Sequence, residues 1–301
     1  MSSNQAIQKS RRGAAQGLSA RRRIYNVGMR TLIYIAAAIV VALLVFLLGY
    51  ILYRGLPNLT WEFLTSEESV VRDVQGIGPA ILNTLYVIIA TLVVVLPLGV
   101  GSAIYLTEYA TNRKLVAAIE FATETLAGIP SIIYALVGVL IFAESLALGK
   151  TLIAGAFTLV IMTLPTVIRT TQESLKTVPA SYREGALGLG ATKWYMIRTI
   201  VLPSSLEGII TGCILAVGRI VGESAALLFT AGVGTVIAKN VFAAFSRSGG
   251  TLSVALYMYV SERGEFDVGY AIAAILMLLV LGLNAATRLV RNRMKKKEGA
   301  Q

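Results

Sequence analysis

Six long apolar runs, separated by stretches that gather the charges, organise the 301 residues of the chain. The first, residues 31–53, has 23 positions without a charged side chain. That exceeds the roughly 20 residues needed to cross a bilayer core at about 1.5 Å each. The others lie near 79–106, 115–142, 151–168, 206–236 and 266–289. Membrane β-strands are short and alternate apolar with polar positions; continuous runs of this length are what helices satisfying their own backbone in lipid require. The pattern predicts an all-α, polytopic membrane bundle of six transmembrane helices. A shorter periodic stretch, 251–261, is expected to lie as a helix at the outer membrane surface.

Composition agrees: 56% of the residues are hydrophobic and 14% charged, too apolar for a soluble domain of this size. The net charge of +11 raises nucleic acid as a partner, but of the 27 basic residues all except Arg219 cluster at span ends, without interleaved aromatics. Seven precede the first span, two lie in the second connection, five in the fourth and six in the tail, against six on the opposite face. Basic residues stay on the cytoplasmic side, so both termini are expected in the cytoplasm, and no nucleic acid is expected. The chain then divides into a basic tail (1–30), the first span, an outer loop (54–76), a core (77–289) with a cytoplasmic loop at 169–205, and a second basic tail (290–301). There is no histidine, and the lone Cys213 lies in an apolar run, which argues against thiolate or imidazole metal sites.

The 169–205 loop is long for a chain with little soluble mass. Pro179 suits a helix start, and Ser181, with Glu184 three residues on, has the spacing of a capping box. Gly190 suits a left-handed helix end, and Thr192 suits the cap of a second helix running to Pro203. Two helices joined by a sharp turn make a stiff element, which can carry force where a flexible loop would absorb it. In the fifth span, Arg219 and Glu223 are four apart and therefore expected on one helical face, turned into the bundle because charges in lipid are destabilising. Gly208 with Gly212, and Gly218 with Gly222, are spaced for close helix packing. Pro97, Pro130 and Pro165 are expected to kink their helices.

The run Glu184-Gly185-Ala186, then Gly190, then Leu202-Pro203 resembles the EAA loop of bacterial ABC importer permeases. Gly185 departs from the usual alanine, a departure tolerated in the phosphate importers. Arg219, Gly222, Glu223 and Ser224 resemble an R-x-x-G-E-[ST] run of the same subgroup, and Ala225 to Leu228 looks closer to one of its two permease subunits than to the other. Asn83-Thr84, Gly128-Ile129-Pro130-Ser131 and Arg169 extend the likeness over about 77–289.

The resemblance implies a type I ABC importer permease fold and a coupling helix at Ser181, Arg183, Glu184, Gly185, Ala186 and Gly190, closed by Pro203. It implies a translocation pathway at Arg169, Arg219, Glu223 and Ser224. As partners it implies a second, similar permease, an ATPase dimer and an extracytoplasmic phosphate-binding protein, besides the lipid bilayer. This chain is expected to bind no cofactor; ATP and Mg belong to the ATPase. Gly149-Lys150-Thr151 is the nearest approach to a phosphate-cradling loop, but position 144 is Glu where such a loop needs Gly. An ion-coupled transporter would carry internal repeats and more ionisable residues within its spans, and a membrane enzyme would need a convergent catalytic set; neither pattern is present.

Overall fold

A computed structural model describes residues 20–68 and 75–298. Lys9, Arg11, Arg12 and Arg72, used above for orientation, lie outside these residues. The described residues are helical, with no strand among them. The chain divides into two units, Met1–Tyr53 and Arg54–Gln301. The first contains all but the last two residues of one continuous apolar helix, α1 (Ala20–Gly55), with Phe46 and Tyr50 stacked one turn apart.

The second unit begins with a short helix α2 (Trp61–Thr65), capped by the Thr60 side chain, and continues into α3 (Gly78–Tyr109), whose last turn is widened over Tyr105–Tyr109. Then come α4 (Arg113–Ala127), capped by Asn112, and α5 (Ser131–Ser145). They are followed by α6 (Leu152–Lys176), α7 (Ala180–Gly188), α8 (Lys193–Gly222) and α9 (Ala225–Thr230). Helices α10 (Val241–Phe245), α11 (Leu252–Tyr257) and α12 (Phe266–Glu298) complete the unit.

Helix α6 lies at the centre, packed against α3, α4, α5 and α8, and buries Leu152, Leu159, Met162, Val167 and Leu175. It approaches α8 closely because Gly208 lies on Ser174 and Gly212 on Thr170, where an added Cβ would overlap those side chains. These contacts fix an antiparallel register. Seven residues further along α8, Arg219 lies near the level of Thr163, roughly 10 Å along the axis from Thr170 and about midway along α6.

The break expected at Pro130 is present: α4 and α5 meet at 99°, because Pro130 lacks an amide donor and disfavours helical backbone at the residue before it. Among the described residues five helices are long and apolar enough to cross a membrane, six with this bent pair counted as one span. Several other expectations are corrected. The fourth span runs on to Lys176 rather than stopping at 168. Pro203 does not end the loop's second helix; that helix and the fifth span are one continuous α8. A widened turn over Ile197–Val201, in which the Leu202 amide reaches back to the Ile197 carbonyl, precedes the proline, and the helix continues through it. The fifth span in turn stops at Gly222 rather than near 236. The 251–261 stretch is helical, but it is packed into the unit, with Leu252 and Val254 buried, not laid on a surface.

Candidate functional site: the loop knob and the interrupted span

Helices α7 and α8 meet at a sharp turn made by Gly190, whose φ of 83° is the left-handed conformation glycine adopts without strain. The Thr192 hydroxyl accepts from the Tyr195 amide at 3.3 Å and caps α8 as expected. The Ser181–Glu184 capping box does not form. Pro179 is itself the N-cap residue, so Ser181 falls inside the first turn, and both Ser181 and Glu184 are exposed.

The knob is pinned from below by one side chain. Arg183 donates from Nε (2.9 Å) and Nη2 (2.8 Å) to Glu108 Oε1, from Nη1 to the Val178 carbonyl (2.6 Å) and from Nη2 to the Leu175 carbonyl (2.9 Å). It thereby ties the knob to two carbonyls where α6 ends, that of Leu175 also accepting from the Val178 amide at 3.3 Å. The Glu108 side chain is only 6% exposed, so this ion pair is largely desolvated. Beside it, Ala186 joins Ala103, Leu175, Val178, Met196, Ile197 and Val201 in a small apolar core. Lys193 Nζ lies 5.1 Å from the Tyr109 ring centroid. On the outer side Tyr182, Leu187, Leu189, Trp194 and Tyr195 are exposed, and Gly185 and Gly190 face open space.

The second candidate region is the break after α8. Glu223, the residue ending α8, takes ψ 108° and turns the chain out of the helix, and among the described residues it forms no ion pair with Arg219. Its carboxylate accepts from the Ala226 amide at 3.1 Å and caps α9, while its carbonyl accepts from Ser253 Oγ at 2.9 Å. Ser224 follows in the link to α9 and makes no side-chain cap. Ser253 and Thr251 hydrogen-bond each other, the Leu252 amide donates to Thr84 Oγ1, and Asn83 donates to the Gly250 carbonyl. A buried polar network therefore holds the interrupted backbone against the start of α3, as buried non-helical backbone in a membrane requires.

Arg219 is half-buried and, among the described residues, pairs with no carboxylate. It lies within electrostatic reach of Tyr134, whose hydroxyl donates to the Leu126 carbonyl across the bend of the third span. Gly218 and Gly222, flanking Arg219, have open space where a Cβ would point, so they are not packing residues within this chain as Gly208 and Gly212 are. Arg169 stands apart, in an exposed cleft between α4 and α6, where it pairs with Glu124 and Glu173 at 3.1 Å each; Lys176 pairs with Glu120 at 2.9 Å.

Sequence reasoning missed Glu108, Tyr109, Ser253 and Tyr134. The signal for Glu108 was available, since a carboxylate ends the apolar run on the face that otherwise collects basic residues.

A family model described as "Binding-protein-dependent transport system inner membrane component" matches residues 95–296. A Bacillus subtilis protein named "Probable ABC transporter permease protein YqgI" is 36% identical, the alignment covering 87% of this chain and 94% of that one. The "Phosphate transport system permease protein PstA" of Haemophilus influenzae is 32% identical over 89% of this chain and 94% of its own length. Among solved structures, a bacterial ABC transporter involved in the import of the acidic polysaccharide alginate superimposes with a TM-score of 0.61, covering 89% of this chain and 99% of that one at 15% identity. The fold is thus shared across importers of different solutes. The chain belongs to the binding-protein-dependent transport system inner membrane components, the multi-pass permease subunits of ABC importers.

Proposed function

We propose that this chain is a permease subunit of an ATP-driven phosphate importer. It forms half of the translocation pathway against a second, similar permease, takes its drive from an ATPase dimer docked on the knob, and receives phosphate from an extracytoplasmic binding protein. Both termini and the knob face the cytoplasm, in line with the basic residues of the connections. ATP and Mg are held by the ATPase, and this chain binds neither.

Arg219 carries the substrate assignment. It lies about midway along the bundle with no carboxylate partner among the described residues, between two glycines that leave its flank open. A guanidinium matches the geometry of phosphate oxygens, and a single cation binds weakly enough for release. The relatives named as phosphate permeases support the same assignment. Glu223 acts here by fixing the backbone beside the arginine, rather than by pairing with it; Arg169 serves at the paired, exposed end of the pathway.

The test is phosphate uptake by proteoliposomes holding the whole complex. Arg219→Gln is expected to leave assembly intact and to lower uptake about 100-fold, the value of one charge-assisted contact of about 3 kcal/mol. Wild-type uptake in that variant removes Arg219 from the pathway. Stimulation of ATP hydrolysis by a solute other than phosphate overturns the substrate.

A further inference from the structure

Glu108 and Tyr109 end α3 in a turn widened to five-residue spacing, and the two neighbours grip both helices of the knob. Glu108 takes Arg183 of α7, and Tyr109 takes Lys193 of α8. The ordinary expectation is that a coupling loop moves only the spans it joins in sequence, here α6 and α8. The geometry adds a third element.

At its other end, roughly 37 Å away by helical rise, α3 carries Asn83 and Thr84. These hold the 250–252 backbone, and the adjoining Ser253 holds the Glu223 carbonyl. One continuous helix, with Pro97 inside it, therefore connects the knob to the network that fixes the break beside Arg219. We infer that Glu108 is a positioning residue for coupling: through Arg183 it transfers displacement of the knob into α3, and α3 carries that displacement to the interrupted span. This rests on the importer reading above and adds to it a route and a residue.

Three features separate this pair from an ordinary surface ion pair. Arg183 uses all three nitrogens, so its direction is fixed as well as its charge. The Glu108 side chain is shielded from water, so no solvent molecule substitutes readily for it. Arg183 also bonds the carbonyls of Leu175 and Val178, whose side chains belong to the small apolar core with Ala103, Ala186 and Met196, so the pair is tied to packed backbone at the base of the knob.

The experiment uses the full complex in proteoliposomes and reads phosphate imported per ATP hydrolysed, a ratio that loss of assembled complex does not move. Glu108→Ala is expected to keep the ATPase in the complex and to keep ATP hydrolysis, while the ratio falls about ten-fold, within the usual span of coupling between sites. Glu108→Gln keeps an oxygen acceptor and is expected to fall less, about three-fold. Wild-type ratios in both variants overturn the inference. So does a Glu108→Ala chain that fails to assemble beside a Glu108→Gln chain with the wild-type ratio, because the residue is then needed only for folding. A wild-type chain that purifies without any ATPase overturns the importer reading itself. A wild-type complex that hydrolyses ATP yet imports no phosphate overturns only the substrate, and the same ratio is then taken with the solute its binding protein carries.

Discussion

Arg183 in the knob finds partners within the chain for all three of its nitrogens, whereas Arg219 in the interrupted span finds no carboxylate among the described residues. The glycines divide in the same way. Gly208 and Gly212, nearer the knob, lie against α6; Gly218 and Gly222, beside Arg219, face open space on the same helix. One end of α8 is finished by its own chain. The other is left open, as the proposed pathway between two permeases requires.

The sharpest way to break this contrast is to remove the anchor of the finished end. Arg183→Ala leaves Glu108 as a buried, unpaired carboxylate, a change that destabilises by about 3–5 kcal/mol in comparable cases. The expected result is a large drop in the melting temperature of the detergent-solubilised chain. If the melt is unmoved, the knob is not welded to the bundle and the contrast fails.

Next in size is a matched pair of substitutions on α8. Gly212→Leu drives a side chain into Thr170 and is expected to destabilise by about 1–3 kcal/mol, as overpacking does. At Gly218 an added Cβ meets nothing within 4 Å, and Gly218→Leu is expected to change the chain's stability by less than about 0.5 kcal/mol. Its effect should fall instead on the yield of the assembly containing both permeases, read by co-purification. Equal melting temperatures for the two variants would abolish the difference between the ends.

Most of the fold was legible because apolar runs and their charges are strong signals in a membrane chain. The knob was legible through Gly190 and Thr192, whose roles depend on local backbone alone. What failed was anything requiring a count along a helix that does not stay regular. The period of 3.6 put Glu223 on the face of Arg219, but α8 stops at Gly222 and the carboxylate is taken by the Ala226 amide of the next helix. Pro203 read as a stop, because the widened turn that precedes it leaves no mark in composition. Glu108 and Arg183 lie 75 residues apart, and no local rule connects them.

The smallest expected effect separates the two accounts of Glu223. An ion pair with Arg219 depends on its charge, so Glu223→Gln would be felt strongly in uptake. A cap depends on an oxygen acceptor aimed at the Ala226 amide, and glutamine still supplies one. The structure therefore predicts that Glu223→Gln changes stability by no more than about 0.5 kcal/mol, while Glu223→Ala loses the cap, at about 1 kcal/mol. Exchanging the charges, with Arg219→Glu and Glu223→Arg together, should rescue nothing: the arginine at 223 would face an amide that needs an acceptor, and the pathway would lose its cation. Recovery of uptake in that double variant would show that the two side chains meet in the working complex, and would move Glu223 from the backbone to the pathway.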